Sequence, residues 1–245
     1  MCSARQLLVS CMLLCTAGCG VYALPAGATT QAQVLRQDWT VFTFSGLFVA
    51  VVVFGLILFP LFAWRRRRND YPPQFSRNSK LELIYTIIPL LMVIALFAVT
   101  YRDEIIVEHL SVHPAVTVDV LAFQWSWRFH YEGTAINTVG TPSIPPQLVL
   151  PVNETTRINI TSSDVNHEFW VPAFLFKRDA IAGVKNSFDL RPIRIGVYLG
   201  RCAEFCGFDH ALMTFTVRVV SQADYDRWLR AGGSSTMLPA KGAKL

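Results

Sequence analysis

Two long runs without a charged residue constrain this chain more than any other feature. Residues 41–64 contain no charge over 24 positions, and residues 83–101 contain none over 19. About 20 apolar residues suffice for a helix to cross a hydrocarbon core of roughly 30 Å, whereas the core helix of a soluble protein normally keeps a polar stripe. Mean hydropathy is +0.37 and only 16% of the residues are charged, which is apolar for a soluble protein. We therefore expect a transmembrane hairpin over 41–101, in contact with membrane lipid.

The loop between the two runs, residues 65–82, dominates the net charge of +5. The loop contains six basic and two acidic residues, whereas the region from residue 102 to the C-terminus contains 14 of each. Short loops rich in Lys and Arg stay in the cytoplasm, so the region from 102 onward is expected on the periplasmic or extracellular side of a bacterial inner membrane. Because a second span follows at once, the basic run is interpreted as a topology signal and not as a nucleic-acid patch.

The N-terminus has the layout of a secretory signal peptide, with a basic residue, an apolar stretch and then small residues. Cleavage after Ala28, in the sequence Ala-Gly-Ala, would give a signal peptide over 1–28 and an exported segment over 29–40. Cleavage at Cys19 is an open alternative, because the preceding residues resemble a lipoprotein box, with Thr16 where an aliphatic residue is usual.

The region 102–231 has the pattern of one β-rich domain. Short β-rich stretches separated by Gly, Pro and Asn recur along it, most clearly at 116–120, 148–150, 157–160, 195–199 and 215–219. Repeated short strands indicate an antiparallel sandwich or barrel. Ser221 favours a closing helix as its N-cap, with Asp224 near the third helical position. A Gly-Gly-Ser-Ser run then opens a flexible tail over 232–245.

Soft metal ligands lie in two short stretches of this domain. The sequence from Cys202 to Met213 reads C-A-E-F-C-G-F-D-H-A-L-M, and His167 lies 35 residues before Cys202 in D-V-N-H-E-F-W-V-P. Thiolates, imidazoles and a thioether suit copper, zinc or iron better than calcium or magnesium. Four of the six cysteines fall in the leader, so the exported domain keeps only Cys202 and Cys206, which argues for a ligand pair and against a disulfide framework.

Three simple sites compete for these side chains. Zinc could use Cys202, Cys206, His167 and His210, but that leaves Met213 without a role. A disulfide would suit an exported domain, but it explains neither histidine. A blue copper site needs one Cys, two His and an axial Met, so the second cysteine would be idle.

The pattern C-x-E-x-C-G-x-x-H-x-x-M, with the upstream D-V-x-H-x-F-x-V-P, resembles the binuclear copper (CuA) site of subunit II of cytochrome c oxidase, in the haem-copper oxidase family. The resemblance extends from about residue 40 to residue 230 and implies a membrane-anchored all-β protein, with a two-helix hairpin followed by a cupredoxin-like β-sandwich. It implies two copper ions bridged by both thiolates, with one imidazole on each copper. The implied copper ligands are His167, Cys202, Glu204 (through its carbonyl), Cys206, His210 and Met213.

The resemblance also gives roles to residues beyond the copper ligands. The Glu204 carboxylate is expected to bind magnesium or manganese at the contact with subunit I. Trp125, in Q-W-S-W-R-F-H-Y, matches the surface tryptophan through which cytochrome c delivers its electron, although alternate aromatic residues in a strand are otherwise core. Arg128 and His130 stand where Ser and Glu are common, so the docking face is expected to be less acidic. Glu82 matches the acid at the mouth of a proton-uptake channel, although a lone Glu there is otherwise a helix-start charge.

The implied function is an electron-accepting subunit of a proton-translocating respiratory oxidase. Cytochrome c would reduce the copper centre, which would pass electrons to haem in subunit I for the reduction of oxygen to water. Haem is expected only in the partner, and subunits I and III and cytochrome c are the expected partners. A CuA subunit of a nitric oxide reductase is the alternative, and a copper-storage or copper-delivery membrane protein is the non-enzymatic one.

Overall fold

The computed structural model describes residues 24–63 and 76–234. Most of the predicted signal peptide, much of the loop 65–82 and most of the predicted tail lie outside these residues. The chain divides into two compact units, one of residues 33–110 and one that combines the residues before 33 with those from 111 onward.

Two long helices account for most of the first unit. Helix α1 (Thr30–Ala63) and helix α2 (Ser79–Glu108) contain the two uncharged runs. Both are long and apolar enough to cross a membrane, and the most apolar window of each is not buried against protein. Side chains of this kind require lipid around them. Helix α1 also extends back over most of the segment 29–40, and the Oδ1 atom of Asn78 caps α2 by accepting a hydrogen bond from the Leu81 amide at 3.2 Å.

The second unit is a sandwich of two five-stranded sheets. In chain order its strands are β1 (Val116–Phe123), β2 (Ser126–Tyr131), β3 (Asn137–Val139), β4 (Gln147–Pro151), β5 (Thr156–Ser162), β6 (His167–Val171), β7 (Phe176–Ala180), β8 (Asn186–Leu190), β9 (Gly196–Cys202) and β10 (Thr214–Val220). The sheets run β3-β2-β1-β5-β8 and β4-β10-β9-β6-β7. The predicted membrane hairpin followed by a cupredoxin-like β-sandwich is thereby confirmed. Helix α3 (Gln222–Arg230) closes the domain, and the Ser221 hydroxyl accepts the Asp224 amide as predicted, at 3.2 Å.

The expectation of a purely antiparallel sandwich is wrong for two strand pairs. β1 pairs with β5 in parallel, and so does β4 with β10. The chain leaves the first sheet after β3, forms β4 in the second and returns to the first for β5. A strand that returns after such a crossover can lie parallel to its neighbour, whereas a tight hairpin cannot produce this pairing.

An aromatic core fills the space between the sheets below the metal-ligand loops. Alternation along β2 buries Trp127, Phe129 and Tyr131. The Trp127 ring packs at 5.2 Å from Phe215 and 6.0 Å from Phe169, measured between ring centroids. The three aromatic residues that follow Trp125 at alternate positions therefore belong to the core, as the period-2 pattern predicts. Rigid packing of this kind fixes the strand ends that carry the ligands.

Candidate metal centre

Strand ends and one loop bring the predicted ligands together at one end of the sandwich. His167 is the first residue of β6 and Cys202 the last of β9, and Cys202 is paired with Phe169 of β6. The Cys202 amide donates to the Met213 carbonyl at 2.9 Å, which closes the loop that also holds Cys206. A loop held at both ends by strand pairing keeps its side chains in place without a metal.

Four side-chain contacts define the cluster. The Sγ atom of Cys202 lies 3.8 Å from Nδ1 of His167 and 3.9 Å from Sγ of Cys206. The Cys206 sulfur lies 3.4 Å from Nδ1 of His210 and 3.7 Å from the Met213 sulfur. Each thiol therefore has its own imidazole, and the thioether lies beside Cys206.

The cluster is suited to a soft metal in a dry site. His167 and Met213 are fully buried, and both cysteines are nearly so. Donor atoms bound to one tetrahedral metal at about 2.0–2.3 Å lie roughly 3.3–3.8 Å apart. The separations of neighbouring donors fall close to that range, so the residues present fit the copper ions that the motif implies.

The same distances can be compared with those of a disulfide and of a single zinc site. Both cysteines are free thiols, and their sulfur separation of 3.9 Å is nearly twice a disulfide bond of about 2.05 Å. Among the described residues, His167, Cys202 and Cys206 form the group whose ligand atoms all lie within 4.8 Å of one another, and His210 is outside it. A single tetrahedral zinc would need all four donors around one metal position.

Asp164 holds His167 in the orientation that the site requires. Its Oδ1 lies 2.8 Å from Nε2 of His167, which leaves Nδ1 to face Cys202. Burial alone would raise the pKa of Asp164, but hydrogen bonds from the Gln124 amide, His167 and the Val165 amide outweigh it, so the pKa is lowered. Metal-bound histidines commonly use a carboxylate in this way. Sequence reasoning gave Asp164 no role, although its spacing of three residues from His167 was a usable signal.

The two thiols differ in acidity before a metal binds. Burial raises the pKa of Cys206 to about 12, and the nearby Cys202 thiolate adds to the effect. Burial also disfavours the Cys202 thiolate, but hydrogen bonds from His167 and neighbouring backbone groups outweigh that effect and lower the pKa of Cys202. Cys202 is thus the thiol prepared to ionise first.

Trp125 contacts the loop between Cys202 and Met213 directly. Its indole Nε1–H donates to the carbonyl of Cys206 at 3.1 Å, and the side-chain amide of Gln124 donates to the same oxygen at 2.8 Å. Gly207 makes this contact possible, because its φ is +118° and a Cβ there would lie 3.2 Å from both side chains. The contact of Gln124 was not anticipated from the sequence.

Glu204 lies partly against the thiol cluster and partly in solvent. Its carbonyl oxygen lies 3.2 Å from the Cys202 sulfur, whereas the residue as a whole is exposed. Three large apolar side chains of the same loop are also exposed, with exposed fractions of 79% for Phe205, 92% for Phe208 and 54% for Leu212. Such a concentration of exposed apolar groups marks an interaction surface. Glu82 lies in the first turn of α2 and is half-buried.

Comparison with known families covers most of the chain. Residues 17–101 match the transmembrane domain of cytochrome c oxidase subunit II, and residues 142–220 match the periplasmic domain of the same subunit. A probable cytochrome c oxidase subunit 2 of Streptomyces avermitilis is 38% identical over 84% of this chain and 77% of its own length. Cytochrome c oxidase subunit 2 of Corynebacterium glutamicum is 32% identical over 84% of this chain and 74% of its own length.

The chain is also similar to a solved structure. It is the periplasmic domain of subunit II of the cytochrome oxidase of Bradyrhizobium japonicum, with 28% sequence identity and a TM-score of 0.46. The match covers 50% of this chain and 96% of that domain.

Proposed function

The chain belongs to the cytochrome c oxidase subunit II family, and on that premise we propose that it accepts electrons from cytochrome c at a binuclear copper centre and passes them to haem in subunit I. As a family member it is part of a haem-copper terminal oxidase, an oxidoreductase. Its two helices anchor it in the membrane, with the β-sandwich outside. The observation that carries the proposal is the pairing of each buried thiol with its own imidazole.

The ligand set supports a relay in preference to a storage site. Cys202 and Cys206 would together hold the two copper ions, which would supply one-electron chemistry with the charge shared between the metals. The protein adds rigidity, because His167 and Met213 are fully buried and the loop is closed by backbone hydrogen bonds. A site that does not rearrange suits repeated one-electron transfer.

Trp125 is the proposed point of electron input. Its indole N–H reaches the carbonyl of Cys206, a proposed copper ligand, through one hydrogen bond. Arg128 and His130 lie in β2 beyond it, with Arg128 exposed. These two residues make this side less acidic, so a donor would dock here with little electrostatic steering.

We propose that the loop between Cys202 and Met213 (the copper loop) contacts subunit I. Its carbonyl at Glu204 faces the thiols, and the exposed carboxylate of the same residue suits a hard ion such as magnesium or manganese at the contact. Phe205, Phe208 and Leu212 supply the apolar area that a stable subunit interface buries. Subunit III is the other proposed partner in the membrane, and haem belongs to subunit I.

Glu82 is proposed to collect protons for a channel in subunit I. It lies in the first turn of α2, next to the basic loop that faces the cytoplasm. Proton uptake for oxygen reduction begins on that side, and the half-buried carboxylate is accessible to water.

Stopped-flow mixing of the purified complex with reduced cytochrome c tests the function. Copper reduction should precede haem reduction, and oxygen should then be consumed. A Cys206→Ser complex that assembles normally should lose the copper phase and accept electrons far more slowly. Unchanged kinetics in that variant would refute the relay, and nitric oxide consumption without oxygen consumption would favour the reductase alternative.

A further inference from the structure

We propose that residues 24–28 remain in the mature protein as an edge segment of the β-sandwich, so that the leader is removed upstream of Leu24. This segment contains the Ala26-Gly27-Ala28 sequence that resembles a signal peptidase site. Its contacts are those of a folded domain.

Backbone hydrogen bonds hold Ala28 on both sides. Its amide donates to the Ala173 carbonyl at 2.8 Å, and its carbonyl accepts the Ile193 amide at 2.9 Å. The next residue, Thr29, forms a β-bridge with Pro192. Removal of the segment would leave the Ala173 carbonyl and the Ile193 amide without these partners, and unsatisfied backbone groups in a folded domain are costly.

Arg194 adds a charged anchor to the same segment. Its Nη2 donates to the carbonyls of Ala26 and Gly27. Hydrogen bonds from a guanidinium are stronger than those between neutral groups. Cleavage after Ala28 would therefore remove both carbonyls to which Arg194 donates.

Close packing continues through Gly27. A Cβ at this position would lie 2.7 Å from the Cβ of Ala32, which is fully buried at the start of α1. The Thr29 hydroxyl accepts the Ala32 amide at 3.0 Å and so caps that helix. Only glycine fits at residue 27, which indicates a position shaped by a folded structure.

The charge of a new N-terminus also favours a cleavage site upstream of the segment. Cleavage after Ala28 would create an ammonium group on Thr29, which is 0% exposed with residues 24–28 in place. The contacts of Thr29, the cap of α1 and the β-bridge to Pro192, include no acidic partner for that charge, and an unpaired charge in a buried position is costly. Pro25 and Ala26 are exposed, so a charge upstream is tolerated.

Two upstream sites would retain the segment. One is Cys19 in the lipoprotein-like box, and the other follows Ala23, where Val21-Tyr22-Ala23 ends in a small residue. The match to the family's transmembrane domain also begins at residue 17, before the segment.

Intact mass analysis of the chain from the purified membrane complex tests the proposal. We expect a chain that begins at Leu24, or one that begins at Cys19 with the added mass of a lipid. Either mass supports retention and identifies the peptidase. A chain that begins at Thr29 or later overturns the proposal, and so does one that still begins at Met1.

A matched pair of variants provides a second readout. Gly27→Val leaves both alanines of the Ala-x-Ala motif unchanged but has no room beside Ala32, whereas Ala26→Val places the same side chain at an exposed position. In the full-length protein, hydrogen exchange at the Ile193 amide should accelerate by about tenfold or more in Gly27→Val only. Equal exchange in Gly27→Val and the unmodified protein would show that the segment is not docked.

Discussion

The Oδ1 atom of Asp164 lies 2.8 Å from Nε2 of His167, on the side of the ring opposite the nitrogen that faces Cys202. The other carboxylate oxygen accepts the Gln124 amide at 2.7 Å. One carboxylate thus fixes a proposed copper ligand and the turn that precedes Trp125.

Replacement of Asp164 should weaken copper binding. Asp164→Asn keeps the shape but removes the negative charge that supports the His167 ring, and changes of this kind lower metal affinity by about 10- to 100-fold. Loss of an anion also disfavours the oxidised, more positive site, so the reduction potential should rise. Copper competition and redox titration would measure both effects. Asp179→Asn, at an exposed residue of β7, is the control, and equal behaviour of the two variants would contradict the role of Asp164.

Trp125→Phe should slow electron input while leaving the copper spectrum intact. The substitution keeps an aromatic ring but removes the N–H that reaches the Cys206 carbonyl. Stopped-flow reduction by cytochrome c provides the measurement, and salt should change the rate only weakly because Arg128 and His130 dilute any acidic face. Trp170→Phe is the matched control, since that indole contacts Arg201. If only the control variant accepts electrons more slowly, the docking site lies at Trp170 and not at Trp125.

Copper uptake should become tighter as pH rises. Burial raises the pKa of Cys206 to about 12, so this thiol carries a proton at neutral pH that the metal must displace. Each proton released changes apparent affinity by about tenfold per pH unit. Titrations at several pH values, in buffers of different ionisation enthalpy, would count the protons. An affinity independent of pH between neutral and alkaline conditions would contradict the thiol assignment.

Glu82→Gln should lower steady-state turnover without slowing the first oxidation of cytochrome c. The amide keeps the shape of the side chain but cannot titrate, and copper reduction does not require that proton. Glu104→Gln, an exposed acid in the last two turns of α2, controls for the loss of a helix charge. If Glu82 is only a helix-start acid, its loss should cost at most about 1 kcal/mol of helix stability, and turnover in the assembled complex would stay normal.

Local patterns in the sequence predicted the parts of this molecule that depend on local physics. The uncharged runs became α1 and α2, and Ser221 caps α3. Alternation in β2 separated the buried Trp127 from the exposed Arg128. These outcomes need only helix length, capping and strand period.

Contacts that depend on topology were not predictable in the same way. Gln124 reaches the Cys206 carbonyl across 82 positions of sequence, and its amide reaches Asp164 across 40. The parallel pairing of β1 with β5 also follows from a crossover between sheets. No periodicity in the chain specifies which loops meet, so the residues that support the ligands emerged only from the fold.

Copper analysis combined with electron paramagnetic resonance of the full-length, copper-loaded chain tests the central claim most directly. We expect two coppers per chain and one unpaired electron shared equally between them. Cys206→Ser should abolish the shared signal, whereas Met213→Leu should keep both coppers with an altered potential, because a weak axial ligand tunes potential more than affinity. A single zinc, or one copper with a localised electron, would contradict the binuclear centre.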